Sequence, residues 1–108
     1  MQAFGDCLVN MQVLQRKRKR PDVGDIFAYK MEDFDYGFGR AIRTDARMDP
    51  LTDLLLLYIY NAFSPRMEDI PKLRKGQLLF PPVLLMDHGA WGKGYFLTVE
   101  NRPLGPAD

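Results

Sequence analysis

The sequence predicts a small, mainly β domain: an SH3-like, partly open barrel or a strongly curved antiparallel sheet of about five strands, with one short helical turn. Apolar or alternating runs of strand length recur along the chain, and the links between them are short and contain Gly, Pro and Asp. A chain of 108 residues, 46% of them hydrophobic and 12% aromatic, has enough apolar material for one core and no room for two.

The first two strands are predicted to form a hairpin. Residues 24–31 are apolar on both alternating faces, which predicts a strand covered on both sides. Its predicted partner is the run of residues 36–43, and the polar turn between the two strands contains Glu32, Asp33 and Asp35. Gly37 and Gly39 remove side chains from one face of the second strand, so that another backbone or a large ring can approach it closely.

The middle of the chain predicts a polar link, a buried strand and a helical turn. Residues 44–52 are polar and contain Asp49-Pro50, a turn signal. Residues 53–60 form a continuous apolar run, which predicts a central strand buried on both faces. Ser64-Pro65 matches an N-cap and a first helical position, so the short helical turn is expected to begin there.

The last two strands are predicted on either side of a glycine-rich turn. Residues 78–86 are apolar but contain Pro81 and Pro82, which lack the N–H group that a strand ladder uses. This fourth strand is therefore an edge strand or is bent there. Residues 89–94 form the turn around Trp91, and residues 95–100 alternate as the fifth strand.

The expected domain organisation is a basic, poorly ordered arm over residues 1–21, a single β domain over residues 22–104 and a tail over residues 105–108. Cys7 is the only cysteine, so no disulfide forms within the chain and nothing indicates an oxidising compartment. No apolar run approaches the ~18 residues of a membrane span, and the first residues lack the charge order of a signal peptide. We therefore expect a cytoplasmic protein that does not enter the membrane.

The net charge of +1 conceals an uneven distribution. Between residues 22 and 69, ten acidic residues face five basic ones, a balance of −5. Such an acidic surface attracts a basic partner. Five consecutive basic residues precede this region: Arg16, Lys17, Arg18, Lys19 and Arg20. Because lysine and arginine neutralise phosphates, this run supports an alternative function, a small nucleic-acid-binding β-barrel, although the sequence favours a solvated arm.

No arrangement of residues in the sequence indicates catalysis or metal binding. The acidic cluster at residues 32–35 lacks the spaced ligands and the glycine of a calcium loop. Gly37-x-Gly39 lacks the third glycine and the following helix of a phosphate-binding loop. His88 is the single histidine, and no Ser-His-Asp or Cys-His spacing accompanies it. We expect no cofactor, no metal and no enzymatic activity.

Four segments carry a family resemblance: GDIFAYKM, YGFGRAI, LLLLYIYNAF and WGKGYFLTVENRPL. They match a first strand that begins G-D, a second strand with G-x-G-R, an apolar third strand, and a W-x-x-G-x-aromatic segment before a final strand and N-x-P. Over residues 21–104 the chain thereby resembles the immunity protein 26 family of bacterial polymorphic toxin systems. The matching positions are Gly24, Asp25, Gly37, Gly39, Arg40, Trp91 and Gly94.

The resemblance implies a cytoplasmic, non-enzymatic protein that protects its producer by binding and neutralising a cognate toxin domain. The acidic region suits a basic toxin such as a nuclease. The candidate toxin-binding residues are Glu32, Asp33, Asp35, Asp45, Asp49 and Trp91. Trp91 has a second interpretation as a lid over the core, because the glycines around it leave room for its ring.

The other matching positions are expected to serve the fold. Asp25 lies where the first strand begins, and its carboxylate is expected to accept backbone hydrogen bonds in the preceding turn. Arg40 is expected to pair with a carboxylate such as that of Asp25. The matching glycines are expected to allow close packing and tight turns.

Overall fold

The computed structural model describes residues 11–16 and 19–105 of the chain. Five antiparallel strands form one open sheet in the order β4-β3-β2-β1-β5. The elements are β1 (Asp25–Lys30), β2 (Tyr36–Met48), β3 (Leu51–Ser64), β4 (Val83–Leu85), α1 (Gly89–Gly92) and β5 (Leu97–Asn101). The predicted mainly β fold with one short helix is confirmed, and the open sheet is consistent with a partly open barrel or a curved sheet. No helix formed by these residues is long and apolar enough to cross a membrane.

The β2–β3 hairpin is longer than the sequence predicts. The prediction of a polar link over residues 44–52 is wrong, because β2 continues to Met48 and β3 begins at Leu51, with Asp49-Pro50 alone at the turn. Backbone pairing needs no apolar side chains, so exposed polar residues extend the ladder beyond the core. Asp53 adopts a left-handed φ of 58° beside an irregularity in the pairing, which locally disrupts the ladder.

A packed cluster lies on each face of the sheet. The aromatic face, as we call it, contains seven buried residues: Phe27, Tyr29, Ala41, Leu55, Leu57, Ile59 and Trp91. The opposite face contains Ile26, Ala28, Phe38, Ile42, Tyr58 and Tyr60, and the segment after β3 covers part of it. Because β1 and β3 contribute buried residues to both faces, the prediction that these two strands are buried on both sides is confirmed.

Two aromatic rings of β1 lie over the glycines of β2. Gly39 pairs with Phe27, and Gly37 pairs with Tyr29. A Cβ atom on Gly39 would overlap the Phe27 ring, and one on Gly37 would overlap the Tyr29 ring. The expectation that these glycines admit a large ring is therefore confirmed.

The helical turn and the fourth strand differ from the sequence-based expectations. Ser64 ends β3, and its hydroxyl accepts a hydrogen bond from the Arg66 N–H at 3.2 Å, which is a local turn and not a helix N-cap. The helix is α1, within the predicted glycine-rich turn. The fourth strand is an edge strand, as predicted, but it shortens to Val83–Leu85 because Pro81 and Pro82 precede it without N–H donors.

Gly39→Ala tests the packing of the Phe27 ring on β2. The added methyl group must displace a fully buried ring, so we expect the free energy of unfolding to fall by about 1–3 kcal/mol. Urea unfolding followed by tryptophan fluorescence measures the change.

Gly76→Ala is the matched control for this substitution. A Cβ at Gly76 has no neighbouring atom within 4 Å, so the free energy of unfolding of the Gly76→Ala variant is expected to stay the same or to rise slightly. Equal stability of the two variants would contradict the proposed role of Gly39.

Candidate functional site

The acidic turn, residues 32–35, joins β1 to β2, and all four of its residues are exposed. The turn is closed by a hydrogen bond from the Phe34 N–H to the Met31 carbonyl at 3.1 Å, and Asp33 takes a left-handed φ of 68°. Aspartate tolerates this conformation better than most residues. Among the described residues, no cation pairs with the carboxylates of Glu32, Asp33 or Asp35. The turn therefore presents to solvent three carboxylates that have no cationic partner in the described part of the chain.

Asp45 and Asp49 lie toward the opposite end of β2 and already have basic neighbours. Asp45 accepts a hydrogen bond from Arg43 at 3.0 Å, and this bond, together with the charge of the guanidinium, lowers the pKa of Asp45. Asp49 lies 3.6 Å from a guanidinium nitrogen of Arg47. The structure thus does not bring the predicted acidic residues together. It separates an unpaired group on the β1–β2 turn from a paired group near the β2–β3 turn.

Trp91 lies in the core of the aromatic face with 2% of its area exposed. Its ring meets Phe27 and Phe96 edge-on at centroid distances of 5.0 and 5.1 Å. The indole N–H donates to the Thr98 hydroxyl at 3.1 Å. A direct toxin contact would require this cluster to open, so the burial favours the interpretation of Trp91 as a core lid.

An apolar groove lies beside the acidic turn, and sequence reasoning did not identify it. It encloses about 480 Å³ over the aromatic face. Its floor includes Tyr29, Leu57 and Ile59, and its exposed walls include Phe34, Phe63 and Phe80. Phe34 was the available signal, since a large apolar residue within a run of carboxylates in a turn has no core to enter.

The remaining family-pattern positions hold the ends of the domain together. The Asp25 carboxylate accepts hydrogen bonds from the Asp22 N–H at 2.9 Å and from the Asn101 side-chain amide at 2.8 Å. The predicted backbone bond of Asp25 is therefore confirmed. The buried Arg40 guanidinium donates to the carbonyl oxygens of Arg102 and Pro103 at 2.5 and 3.0 Å. These carbonyl partners replace the Asp25 partner that the sequence suggested for Arg40.

Part of the expected N-terminal arm lies against the sheet. The Gln12 N–H donates to the Lys30 carbonyl, and the Leu14 N–H donates to the Gly94 carbonyl, both at 2.7 Å. Gly94 has a φ of 86° and packs closely against this segment. Residues 11–16 therefore extend the cover of the aromatic face.

Two residues of the basic run, Lys19 and Arg20, have partners elsewhere in the chain. Arg20 donates to the Thr44 and Asp53 carbonyls at 2.9 and 2.6 Å, and Lys19 forms an exposed ion pair with Asp22. Arg16 is also a described residue of this run, whereas Lys17 and Arg18 lie outside the described residues. Cys7 lies outside them as well. Nucleic-acid binding stays a prediction.

The described residues contain no group of three or more His, Cys, Asp or Glu side chains placed to hold a metal ion. The features of the candidate site are carboxylates that are unpaired among the described residues and an apolar groove next to them.

Arg40→Met tests the attachment of the C-terminal segment. Without the guanidinium, the Arg102 and Pro103 carbonyls lose their donors, and we expect the free energy of unfolding to fall by about 1–3 kcal/mol. Thermal unfolding followed by circular dichroism measures this. Arg43→Met, which removes an exposed arginine from the same strand, should leave stability nearly unchanged, and an equally small effect of Arg40→Met would refute the attachment.

Tyr29→Phe tests the burial of the phenol under the groove. Burial raises the pKa of Tyr29 above its usual value of 10.0, so the folded chain retains a proton that the unfolded chain releases. The contribution of the protonated Tyr29 phenol to the free energy of unfolding is therefore fully present below pH 10.0 and falls as the pH rises above that value. In urea titrations, the free energy of unfolding of Tyr29→Phe should fall less steeply with rising pH than that of the parent chain. Tyr95→Phe is the control for removing a phenol, and identical alkaline profiles of Tyr29→Phe and the parent chain would contradict the assignment.

Comparison with protein families identifies a family whose model spans the β domain. The model of the family described as Immunity protein 26 matches residues 22–108. Neither the curated proteins nor the solved structures gave a match. The matched residues include all five strands, α1, the acidic turn and most of the groove. Since the match spans well over half of the chain, the protein belongs to the immunity protein 26 family.

Proposed function

We propose that this protein binds and neutralises a cognate toxin domain in the cytoplasm of the cell that produces the toxin. The family match over residues 22–108 carries the proposal. Neutralisation here is stoichiometric binding, without catalysis, a metal or a cofactor. The partner is a basic domain of a polymorphic toxin, such as a nuclease, whose substrate groove or active site the immunity protein covers.

The acidic turn is the part of the predicted site that best fits a basic partner. Its carboxylates are exposed and unpaired among the described residues, whereas Asp45 and Asp49 each have an arginine within 4 Å. A charge that is already compensated contributes less to the long-range field that steers a partner. We therefore assign the first contact to Glu32, Asp33 and Asp35, and a lesser role to Asp45 and Asp49.

The experiment uses the toxin domain encoded beside this gene, produced with and without the immunity protein. Neutralisation is measured as restored growth of cells expressing the toxin and as inhibition of the purified toxin. Growth arrest that persists in the presence of the wild-type protein would overturn the proposed function.

Two double variants, each removing two negative charges, test the role of the acidic turn. Glu32→Gln with Asp35→Asn should slow association by about three- to tenfold at low salt, with the difference shrinking as salt is added. Asp45→Asn with Asp49→Asn is the matched control and should slow association less, because Arg43 and Arg47 already offset those charges. Asp33 stays unchanged in both because it holds the left-handed turn. Stopped-flow association rates that fall equally in both variants would attribute steering to net charge alone.

A further inference from the structure

Exposed aromatic and aliphatic side chains surround the groove on the aromatic face. The exposed fractions of Phe34, Phe80 and Phe63 are 65%, 52% and 45%. These residues come from the acidic turn, the segment before β4 and the end of β3, and the fold brings them around one concavity. A contiguous apolar patch with this composition marks a binding surface more often than scattered exposed residues do.

The groove combines a buried floor with exposed walls. Tyr29 of β1 and Leu57 and Ile59 of β3 line the groove and are also buried residues of the aromatic face. The exposed side chains of Phe34 and Phe80 line it as well. The concavity therefore brings together residues from β1, β3, the acidic turn and the segment before β4.

The lining selects a protein segment over a small polar molecule. Every lining residue is hydrophobic or aromatic, and Tyr29 supplies the only side-chain hydroxyl among them. Small-molecule sites usually combine an apolar wall with several converging polar groups that orient the ligand. The groove lacks such groups, and its preferred occupant is therefore a row of aliphatic or aromatic side chains.

The charges beside Phe34 determine which residues can flank the apolar side chains of the occupant. Phe34 lies between Asp33 and Asp35 in the chain, and both carboxylates, with that of Glu32, are exposed and unpaired among the described residues. The nearby Lys30 ammonium is directed back to the Met31 carbonyl at 3.2 Å and toward the Tyr36 ring. Lysine or arginine next to the inserted side chains would meet these carboxylates, and aspartate or glutamate would be repelled.

We propose that the groove receives an apolar segment of the toxin domain flanked by lysine or arginine residues. This inference rests on the proposed function, because it takes the toxin as the partner. It adds the location and the chemistry of the contact: apolar side chains are buried against Phe34, Phe63 and Phe80, and the flanking cations lie against the acidic turn.

The first experiment uses short fluorescent peptides with one leucine- and phenylalanine-containing centre, flanked by lysine, by serine or by glutamate. Fluorescence polarisation at low salt should show the lysine-flanked peptide binding about tenfold or more tightly than the glutamate-flanked one. Equal affinity of the three peptides would overturn the charge requirement.

The second experiment places variants on and off the groove. Phe34→Ser and Phe80→Ser should each weaken binding of the lysine-flanked peptide and of the toxin domain by about tenfold. Met48→Ser is the matched control, since Met48 is 55% exposed but lies at the far end of β2. All three side chains are exposed, so circular dichroism and thermal unfolding should show folded variants. A loss of binding in Met48→Ser equal to that of the groove variants would overturn the assignment.

The toxin measurement separates this inference from the function on which it rests. Full neutralisation by Phe34→Ser and Phe80→Ser overturns the groove assignment and leaves the proposed function standing. Failure of the wild-type protein to neutralise the toxin overturns the function itself.

Two other occupants are outcomes of the same experiments. A homodimer in analytical ultracentrifugation that Phe80→Ser dissociates would give the groove to a second copy of this chain. If Phe4→Ser or Leu8→Ser binds the peptide more tightly than the parent chain, the chain's own N-terminal segment competes for the groove and is its occupant. Either result overturns the inference.

Discussion

The missing side chains at Gly37 and Gly39 are the constraint on which the aromatic face depends. Because β2 presents bare backbone there, the rings of Tyr29 and Phe27 lie across it. Phe27 then stacks on Phe96 at 4.4 Å and meets the edge of Trp91 at 5.0 Å. Trp91 in turn fixes α1 against the sheet. Two absent side chains thereby allow the packing of this core cluster.

A second constraint ties the ends of the domain to its centre. Burying an arginine is unfavourable unless its N–H groups find acceptors. Arg40 obtains two of them from carbonyls of the segment that follows β5. Asn101 at the end of β5 donates to the Asp25 carboxylate and to the Val23 carbonyl. Asp25, Arg40 and Asn101 therefore connect β1, β2 and the segment that follows β5. Since Asp25 and Arg40 already have partners within the domain, they do not locate the surface that a partner touches.

How much the sequence predicts depends on how local the cause is. The alternation and burial of β1 and the apolar run of β3 are local, and both strands were predicted. The extension of β2 to Met48 depends on pairing with β3, and the exposed side chains of that stretch carry no sign of it. The helix was misplaced because Ser64 caps a turn as readily as a helix, whereas α1 is set by the docking of Trp91.

The candidate site shows the same limit. Exposure of the acidic turn follows from its composition, and the sequence predicted it. Asp45 pairs with Arg43, which is only two residues away in the chain. A count of charges along the sequence nevertheless gives the Asp45 carboxylate the same weight as the Asp35 carboxylate. The groove requires Phe34, Phe63 and Phe80, three residues separated along the chain whose proximity follows only from the folded sheet. No pattern within a single segment predicts such a surface.

The proximity of the groove to the acidic turn matters for how a complex forms and lasts. Exposed charges act over roughly 10 Å at moderate salt and mainly raise the rate of encounter. Buried apolar contacts act only at touching distance and mainly slow dissociation. In this protein the two meet at one turn, because Phe34 lies between Asp33 and Asp35 in the chain and also lines the groove. In the proposed complex, a partner drawn in by the carboxylates would arrive next to the groove, and a partner with only the charge or only the apolar segment would lack one of the two contributions. The proposed selectivity for one toxin would then come from requiring both features at adjacent positions.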